Sequence, residues 1–128
     1  DKQFASVWST VHNFSGCPDL VCELGGVKAI VDFKTSTAPY RDSFPDRGDK
    51  SGYGGYRKYV KVSQQLAAYR LALEERTGYR CEVGVVLVST PKEAQMIVID
   101  ADRMQISEDK FLKRAQQYHS MFNDDPDP

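Results

Sequence analysis

Six consecutive apolar residues, Val83 to Val88, constrain the fold of this 128-residue chain more than any other segment. A short run that is apolar at every position is typical of a strand covered on both of its faces. We therefore expect a strand over Cys81–Thr90 at the centre of a sheet. A turn at residues 91–93 leads to a further predicted strand, Gln95–Ile99. The chain length fits one domain that buries roughly two-thirds of its unfolded surface.

Three further strands are predicted in the first third of the chain, where β-forming residues alternate with turn residues. These strands are Phe4–Val11, Cys17–Leu24 and Gly26–Val31. Asn13 to Gly16 and the Gly25-Gly26 pair separate them, and connections this short join antiparallel strands. We therefore expect a three-strand meander, with Trp8 in the core.

Two segments have apolar residues at the spacing of an amphipathic helix. The first is Val60–Thr77, which ends before Gly78, a residue type common just past a helix C-terminus. The second runs from Ser107, a predicted N-cap, to Phe122. Three acids are assigned to the turn before this helix and to its first turn, where negative charge is favourable: Asp100, Asp102 and Glu108.

The predicted order of elements is three strands, a helix, two strands and a helix. This order favours an α/β fold (an α+β mixed sheet). The first helix is expected to return the chain to the central strand. Residues 1–123 are predicted to form this single domain. The acidic, proline-broken residues 124–128 are predicted to be a disordered tail.

Composition excludes several classes of protein. Seventeen basic and eighteen acidic residues nearly cancel, so the placement of charge has to indicate a nucleic-acid partner. No apolar run approaches the ~20 residues that span a bilayer, and no signal-peptide pattern is present, so no membrane partner is expected. Cys17, Cys22 and Cys81 form no CxxC motif, which argues for a reducing compartment and against disulfides and structural zinc.

A carboxylate and an ammonium group stand at the end of the third predicted strand, in the sequence Val-Asp-Phe-Lys-Thr at 31–35. Strand alternation places Asp32 and Lys34 on one face and Phe33 on the other. Taken alone, this pattern favours an exposed ion pair. Asp19, however, precedes Asp32 by thirteen residues on a neighbouring predicted strand, so the two carboxylates can converge. Two carboxylates beside a lysine suit a hard cation with oxygen ligands.

The first predicted helix adds Gln65 and Tyr69, which lie four residues apart and therefore on one helical face. An amide and a phenol there can hydrogen-bond the lysine, a ligand carboxylate or a substrate phosphate.

Three ordered motifs now stand in the sequence: Gly-x-x-Asp at 16–19, Val-Asp-Phe-Lys-Thr at 31–35 and Gln-x-x-x-Tyr at 65–69. Together they resemble the PD-(D/E)xK nucleases of the RecB-like exonuclease group, in particular the mitochondrial genome-maintenance exonucleases and their phage relatives. The resemblance extends from about Val7 to Phe122. It implies a restriction-endonuclease-like core.

The resemblance also implies roles for individual residues. Asp19, Asp32 and the backbone carbonyl of Phe33 match the ligands of Mg²⁺ (or Mn²⁺), and Lys34 matches the lysine that orients or activates the attacking water. Gln65 and Tyr69 match the pair that supports the site. Members of the group usually supply a further His or Glu from an upstream helix. His12 is predicted to be a solvated strand-end residue instead, so an upstream helical segment or a partner chain would complete the site.

The implied function is metal-dependent hydrolysis of phosphodiester bonds by a DNA exonuclease that acts on single-stranded or frayed ends. The alternatives are a structure-specific or restriction-type endonuclease with the same core, and a non-catalytic DNA-binding module. Iron–sulfur members need three cysteines after the Gln-x-x-x-Tyr helix, whereas only Cys81 follows it here, so no cluster is expected. The implied location is the cytoplasm of a bacterium or a phage-infected host, or else the mitochondrial matrix.

The segment from Thr35 to about Lys58 lacks any period and is rich in Gly and Pro, which predicts a long loop. It interleaves rings with cations, a composition suited to stacking on bases and following a phosphate backbone. The predicted contacts to single-stranded DNA are Tyr40, Arg41, Arg47, Tyr53, Tyr56, Arg57 and Lys58. The alternative is a surface insertion without a role in binding.

Overall fold

The computed structural model describes residues 7–10 and 14–123 of the chain. The predictions for His12 and for the acidic tail concern residues outside this range. The backbone of Trp8 is described but its side chain is not, so its predicted place in the core also lies outside the described part. The elements are β1 (Val7–Ser9), β2 (Phe14–Gly16), β3 (Leu20–Leu24), β4 (Val27–Thr35), α1 (Lys50–Thr77), β5 (Val83–Ser89), β6 (Ala94–Ile99) and α2 (Ala101–Asn123).

A four-stranded mixed sheet in the order β3-β4-β5-β6 forms the centre of the fold. β4 and β5 are parallel, while the outer pairs are antiparallel. Parallel neighbours need a long crossover, and α1 provides it. The predicted mixed sheet with helices, and the central position of the apolar strand at 83–88, are confirmed.

The predicted three-strand meander is wrong in its first strand. β1 pairs with β2 in a separate two-stranded sheet, so of the predicted meander only the hairpin of β3 and β4 belongs to the main sheet. The predicted strand Cys17–Leu24 is also interrupted, because residues 17–19 are not in a strand. Pro18 lies at this interruption, and a proline has no N–H to continue a ladder.

The first helix begins at Lys50, ten residues before the predicted start at Val60, so residues 50–58 are not a loop. Asp49 caps it by accepting a hydrogen bond from the N–H of Gly52 at 2.9 Å. The predicted end is confirmed, since Gly78 follows the helix with a left-handed φ of 75°. Glycine disfavours helix locally, so the sequence pattern does not indicate this start. In the structure the preceding loop packs onto Gly52 and Gly55.

The second helix begins directly after β6, at Ala101, and the prediction of Ser107 as its N-cap is wrong. The carboxylate of Asp100 accepts a hydrogen bond from the N–H of Arg103 at 2.8 Å, as an N-cap does. Ser107 is buried inside the helix. No helix in the described part of the chain is long and apolar enough to cross a membrane.

Both helices pack on one face of the main sheet, and this layer contains the principal core. Val21, Ile30, Val86, Ile97 and Ile99 project from the strands into it. The other face carries a smaller cluster made of strand residues alone, as far as the described residues extend: Cys22, Ala29, Val31 and Val85, flanked by Leu20, Val83 and Leu87. We expected β5 to be covered on both faces. In the described residues, helices cover one face, and the other face carries only the small cluster of strand residues.

Adjacent glycines of α1 should respond to the same substitution with opposite signs. A Cβ on Gly55 would lie 2.6 Å from the backbone oxygen of Pro39, so Gly55→Ala forces the loop away from the helix. A Cβ on Gly54 meets nothing within 4 Å. We expect Gly55→Ala to destabilise the protein by about 1–3 kcal/mol, and Gly54→Ala to stabilise it by about 0.5–1 kcal/mol through helix propensity. Urea denaturation of both variants tests this, and a Gly55→Ala variant as stable as Gly54→Ala would contradict the close packing.

Candidate active site

Two carboxylates meet where β3 and β4 pair. Asp19 directly precedes β3, and Leu20 pairs with Val31, which brings Asp19 next to Asp32. The Oδ2 atom of Asp19 accepts a hydrogen bond from the backbone N–H of Phe33 at 2.8 Å. The two carboxyl groups are close enough to share a hydrogen bond. The hairpin therefore fixes the position of Asp19 by a backbone contact to the strand that carries Asp32.

Lys34 completes the cluster from the same strand face as Asp32. Its Nζ lies 3.0 Å from Oδ2 of Asp32, and the two side chains are 31% and 6% exposed. Phe33 projects from the opposite face and is exposed. The structure thus brings together the three side chains at which the sequence predicts chemistry.

The environment raises the pKa of Asp32 to about 6, first because the carboxyl is buried and second because it contacts Asp19. The pKa of Asp19 is lowered, mainly by its hydrogen bond with Asp32. Burial tends to lower the pKa of Lys34, but contact with the Asp32 carboxylate outweighs it and the net direction is upward. At neutral pH the site consequently holds a lysine cation beside two carboxylates.

One oxygen of this cluster lacks a proper donor. Oδ2 of Asp32 is fully buried and, among the described residues, none donates a correctly directed hydrogen bond to it, although the lysine nitrogen is near. A buried anionic oxygen without a donor costs free energy unless a positive charge compensates it. The Lys34 ammonium supplies one such charge, and an anionic oxygen in this position is also suited to coordinate a divalent cation.

The pair on α1 lies beside the cluster. The Nε2 atom of Gln65 donates to Oη of Tyr69 at 2.8 Å, and Gln65 lines a cavity of about 230 Å³ together with Lys34. A Cβ on Gly16 would fall on the ring of Tyr69. Glycine in the Gly-x-x-Asp motif therefore leaves the space that the phenol occupies next to the site.

No protein-family model matches this chain, and no curated protein matches it. Among solved structures, one described as "Crystal structure of SSO0001" is 19% identical, with a TM-score of 0.41. The match covers 74% of this chain and 39% of that one, so the chain spans well under half of its length. A likeness this weak carries no argument about function.

The donor set fits Mg²⁺ or Mn²⁺. Magnesium is commonly held by one or two protein carboxylates and completes its shell with water and substrate phosphate. Asp19 and Asp32 provide those carboxylates, and the predicted third ligand is the carbonyl of Phe33. Within 7–10 and 14–123, however, no group of three or more His, Cys, Asp or Glu side chains could hold a metal ion. Among the described residues, the side-chain ligands are therefore the two carboxylates, and a third protein ligand would have to be a backbone carbonyl such as that of Phe33.

The predicted DNA contacts are separated by the structure. Tyr40 is buried in the main core and exchanges two backbone hydrogen bonds with the Gln95 side chain, so its ring is not free to stack on a base. Arg41 lies 3.9 Å from Asp49 and is partly neutralised. Arg47 is exposed on the loop before α1. The remaining four lie on the first turns of α1: Tyr53, Tyr56, Arg57 and Lys58.

Sequence patterns did not single out the cavity next to these residues. It measures about 680 Å³ and lies between α1 and α2, lined in part by Lys61, Phe111 and Arg114. Lys61 stands four residues after Arg57 and three after Lys58. In a helix this spacing puts the three cations on one face, and such a basic face is the sequence signal that could have indicated the cavity. It was obscured by the prediction that residues 50–58 form a loop. Phe111 and Arg114 lie on the other helix, and no local pattern pairs them with α1.

Proposed function

We propose that this protein is a metal-dependent deoxyribonuclease of the RecB-like PD-(D/E)xK type, which hydrolyses phosphodiester bonds at single-stranded or frayed DNA ends. The observation that carries the proposal is the convergence of Asp19, Asp32 and Lys34, in which the buried Oδ2 atom of Asp32 lies 3.0 Å from the Lys34 ammonium. Two acids and one lysine at a sheet edge are what phosphodiester hydrolysis requires: oxygen ligands for a divalent ion and a fixed cation for the phosphate.

Each residue has a distinct task in this proposal. Asp19 and Asp32 hold the divalent ion, which when bound supplies an acidified water and neutralises phosphate charge. Lys34 places its ammonium group where negative charge grows on the phosphate. Its ion pair with Asp32 fixes the direction of the amine before substrate arrives. Gln65, hydrogen-bonded to Tyr69, borders the cavity through which a phosphate reaches Lys34.

Lys34→Ala should reduce cleavage by about 10²–10³-fold, since it removes the fixed charge that faces the developing negative charge on the phosphate. The assay uses end-labelled single- and double-stranded DNA with Mg²⁺, Mn²⁺ or EDTA, and compares linear with circular substrates. Cleavage of circles would favour the endonuclease alternative. Lys28→Ala is the matched control, because Lys28 lies on the same strand but contacts the ring of Tyr79 instead. Equal rates for Lys34→Ala and Lys28→Ala would refute the role of Lys34.

A second candidate function is a non-catalytic DNA-binding module that keeps the nuclease fold. It is favoured by one observation, the lack of a third acidic, His or Cys ligand among the described residues. Titration calorimetry with Mn²⁺ separates the candidates, because a module without catalysis has no reason to retain a divalent site. Binding of Mn²⁺ that disappears in Asp19→Asn supports the nuclease.

A further inference from the structure

Two cavities beside the candidate site share part of their lining. The first, of about 230 Å³, is lined by Lys34 together with Lys58, Lys61 and Gln65. The last three residues also line the cavity of about 680 Å³ between α1 and α2, so the two cavities are neighbours. We call the combined depression the α1–α2 groove. It runs from the lysine of the candidate site to Phe111 and Arg114 on the second helix.

The charge of this groove has one sign. Arg57, Lys58, Lys61 and Arg114 line its larger part, and no acid is among the lining residues. Among the described residues, no acid forms an ion pair with Arg57, Lys61 or Arg114. Four cations therefore converge on one depression in a chain whose net charge is −1, which indicates an anionic occupant.

The walls of the groove are largely apolar and partly aromatic. Tyr56 lines it from α1, and Phe111 and Val60 add apolar surface. Tyr56 is also in contact with the rings of Phe44 and Tyr59, which hold it in place. An aromatic surface flanked by cations is the arrangement that binds single strands without regard to sequence, because every base has a face that can stack.

We propose that the α1–α2 groove binds a single strand of nucleic acid and guides it to Lys34. Lys61 and Arg114 contact phosphates, and Tyr56 stacks on a base. The claim that the groove leads the nucleic acid to Lys34 rests on the proposed function. The claim that the groove binds nucleic acid does not, because neither Asp19 nor Asp32 lines it. In place of the predicted contacts at Tyr40 and Arg41, the groove offers cations that form no ion pair with any acid of the described chain.

The test is the affinity of the whole chain for a fluorescein-labelled oligothymidylate, measured by anisotropy in EDTA so that no cleavage occurs. Lys61→Glu/Arg114→Glu should weaken binding by at least about tenfold. It should also lower the slope of log K against log salt by about 1.4, because two phosphate contacts are lost. Lys92→Glu/Lys113→Glu is the matched control: it makes the same change of charge at two exposed lysines outside the groove.

Stacking is tested separately with Tyr56→Leu, checked by thermal denaturation for an intact fold. It should weaken binding of the oligonucleotide by about fivefold or more and leave binding of heparin, a polyanion without bases, unchanged. Equal affinities of the groove variant and the control variant would overturn the inference, as would an unchanged affinity of a folded Tyr56→Leu.

The outcomes for the groove and for the nuclease are distinguishable. A parent protein that binds oligonucleotide through the groove but cleaves nothing would refute the proposed function and support the groove. A parent that cleaves single strands, with unchanged affinity and KM in Lys61→Glu/Arg114→Glu, would refute the groove and leave the nuclease standing. A parent that neither binds nor cleaves would refute both.

Discussion

Asp32→Asn should reduce DNA cleavage to less than about 1% of the parent rate while making the metal-free protein more stable. The loss follows from the proposed function, in which Asp32 is a metal ligand and the divalent ion contributes several kcal/mol of transition-state stabilisation. The gain follows because the folded chain pays to keep a buried carboxylate ionised next to Asp19. The amide of asparagine carries no charge and can still donate to Asp19.

The gain in stability should depend on pH in a defined window. Asp32 titrates near 3.8 when unfolded and at about 6 when folded. A raised pKa means that the parent loses stability as pH rises from 4 to 6, where the unfolded state ionises and the folded state does not. The two proteins should therefore be equally stable below pH 4 and diverge up to pH 6. The shift sets a ceiling of roughly 3 kcal/mol, which solvent near the half-open site reduces to about 1–2 kcal/mol.

Thermal denaturation in EDTA at pH 4, 6 and 8 measures this difference, with Asp42→Asn as the control at an exposed carboxylate. Added Mn²⁺ should raise the midpoint of the parent and not that of Asp32→Asn, since only a protein with the site is stabilised by mass action. An Asp32→Asn variant that is less stable than the parent at pH 8 would show that the pair with Lys34 outweighs the cost of burial.

The candidate site was largely predictable because its geometry is local. Asp32 and Lys34 are separated by one residue on a strand, so alternation alone places them together. Asp19 follows from the tight Gly25-Gly26 turn, which sets the register of β3 against β4. The elements were less predictable at their boundaries. Pro18 delays the start of β3 to Leu20, and packing of the loop at Pro39 onto Gly55 extends a helix through glycines that propensity would exclude.

Side-chain contacts between the two helices could not be predicted from the sequence. The sequence places Glu108 in the first turn of the second helix, and no local pattern connects it with Arg70 on the first helix. Each is a charged residue, and such residues are rarely fully buried unless they are paired. Only the packing of α1 on α2 shows that these two, 38 residues apart, are each other's partner. The same applies to the α1–α2 groove, whose cations come from both helices.

The buried Arg70–Glu108 pair links the two helices. The side chains are 3% and 7% exposed, and Nη2 and Nε of Arg70 lie 2.9 and 3.1 Å from Oε1 of Glu108. Arg70 also donates to the carbonyl of Cys81, just before β5. Arg80 and Gln105 add hydrogen bonds to the same carboxylate from more exposed positions. One carboxylate therefore satisfies donors from both helices and from the segment between α1 and β5.

Arg70→Met should destabilise the protein by about 3–5 kcal/mol, because it leaves a buried carboxylate without its main partner. Arg70→Met/Glu108→Leu should recover most of this loss, since apolar residues of similar volume can replace a buried pair and water can reach Arg80 and Gln105. Arg80→Met, at a side chain that is 37% exposed, is the control and should cost no more than about 1 kcal/mol. Urea denaturation at 10 °C, where a weakened variant remains folded, gives all four free energies of unfolding. A double variant as unstable as Arg70→Met would mean that the pair is a net source of stability, because removing the stranded charge would then restore nothing.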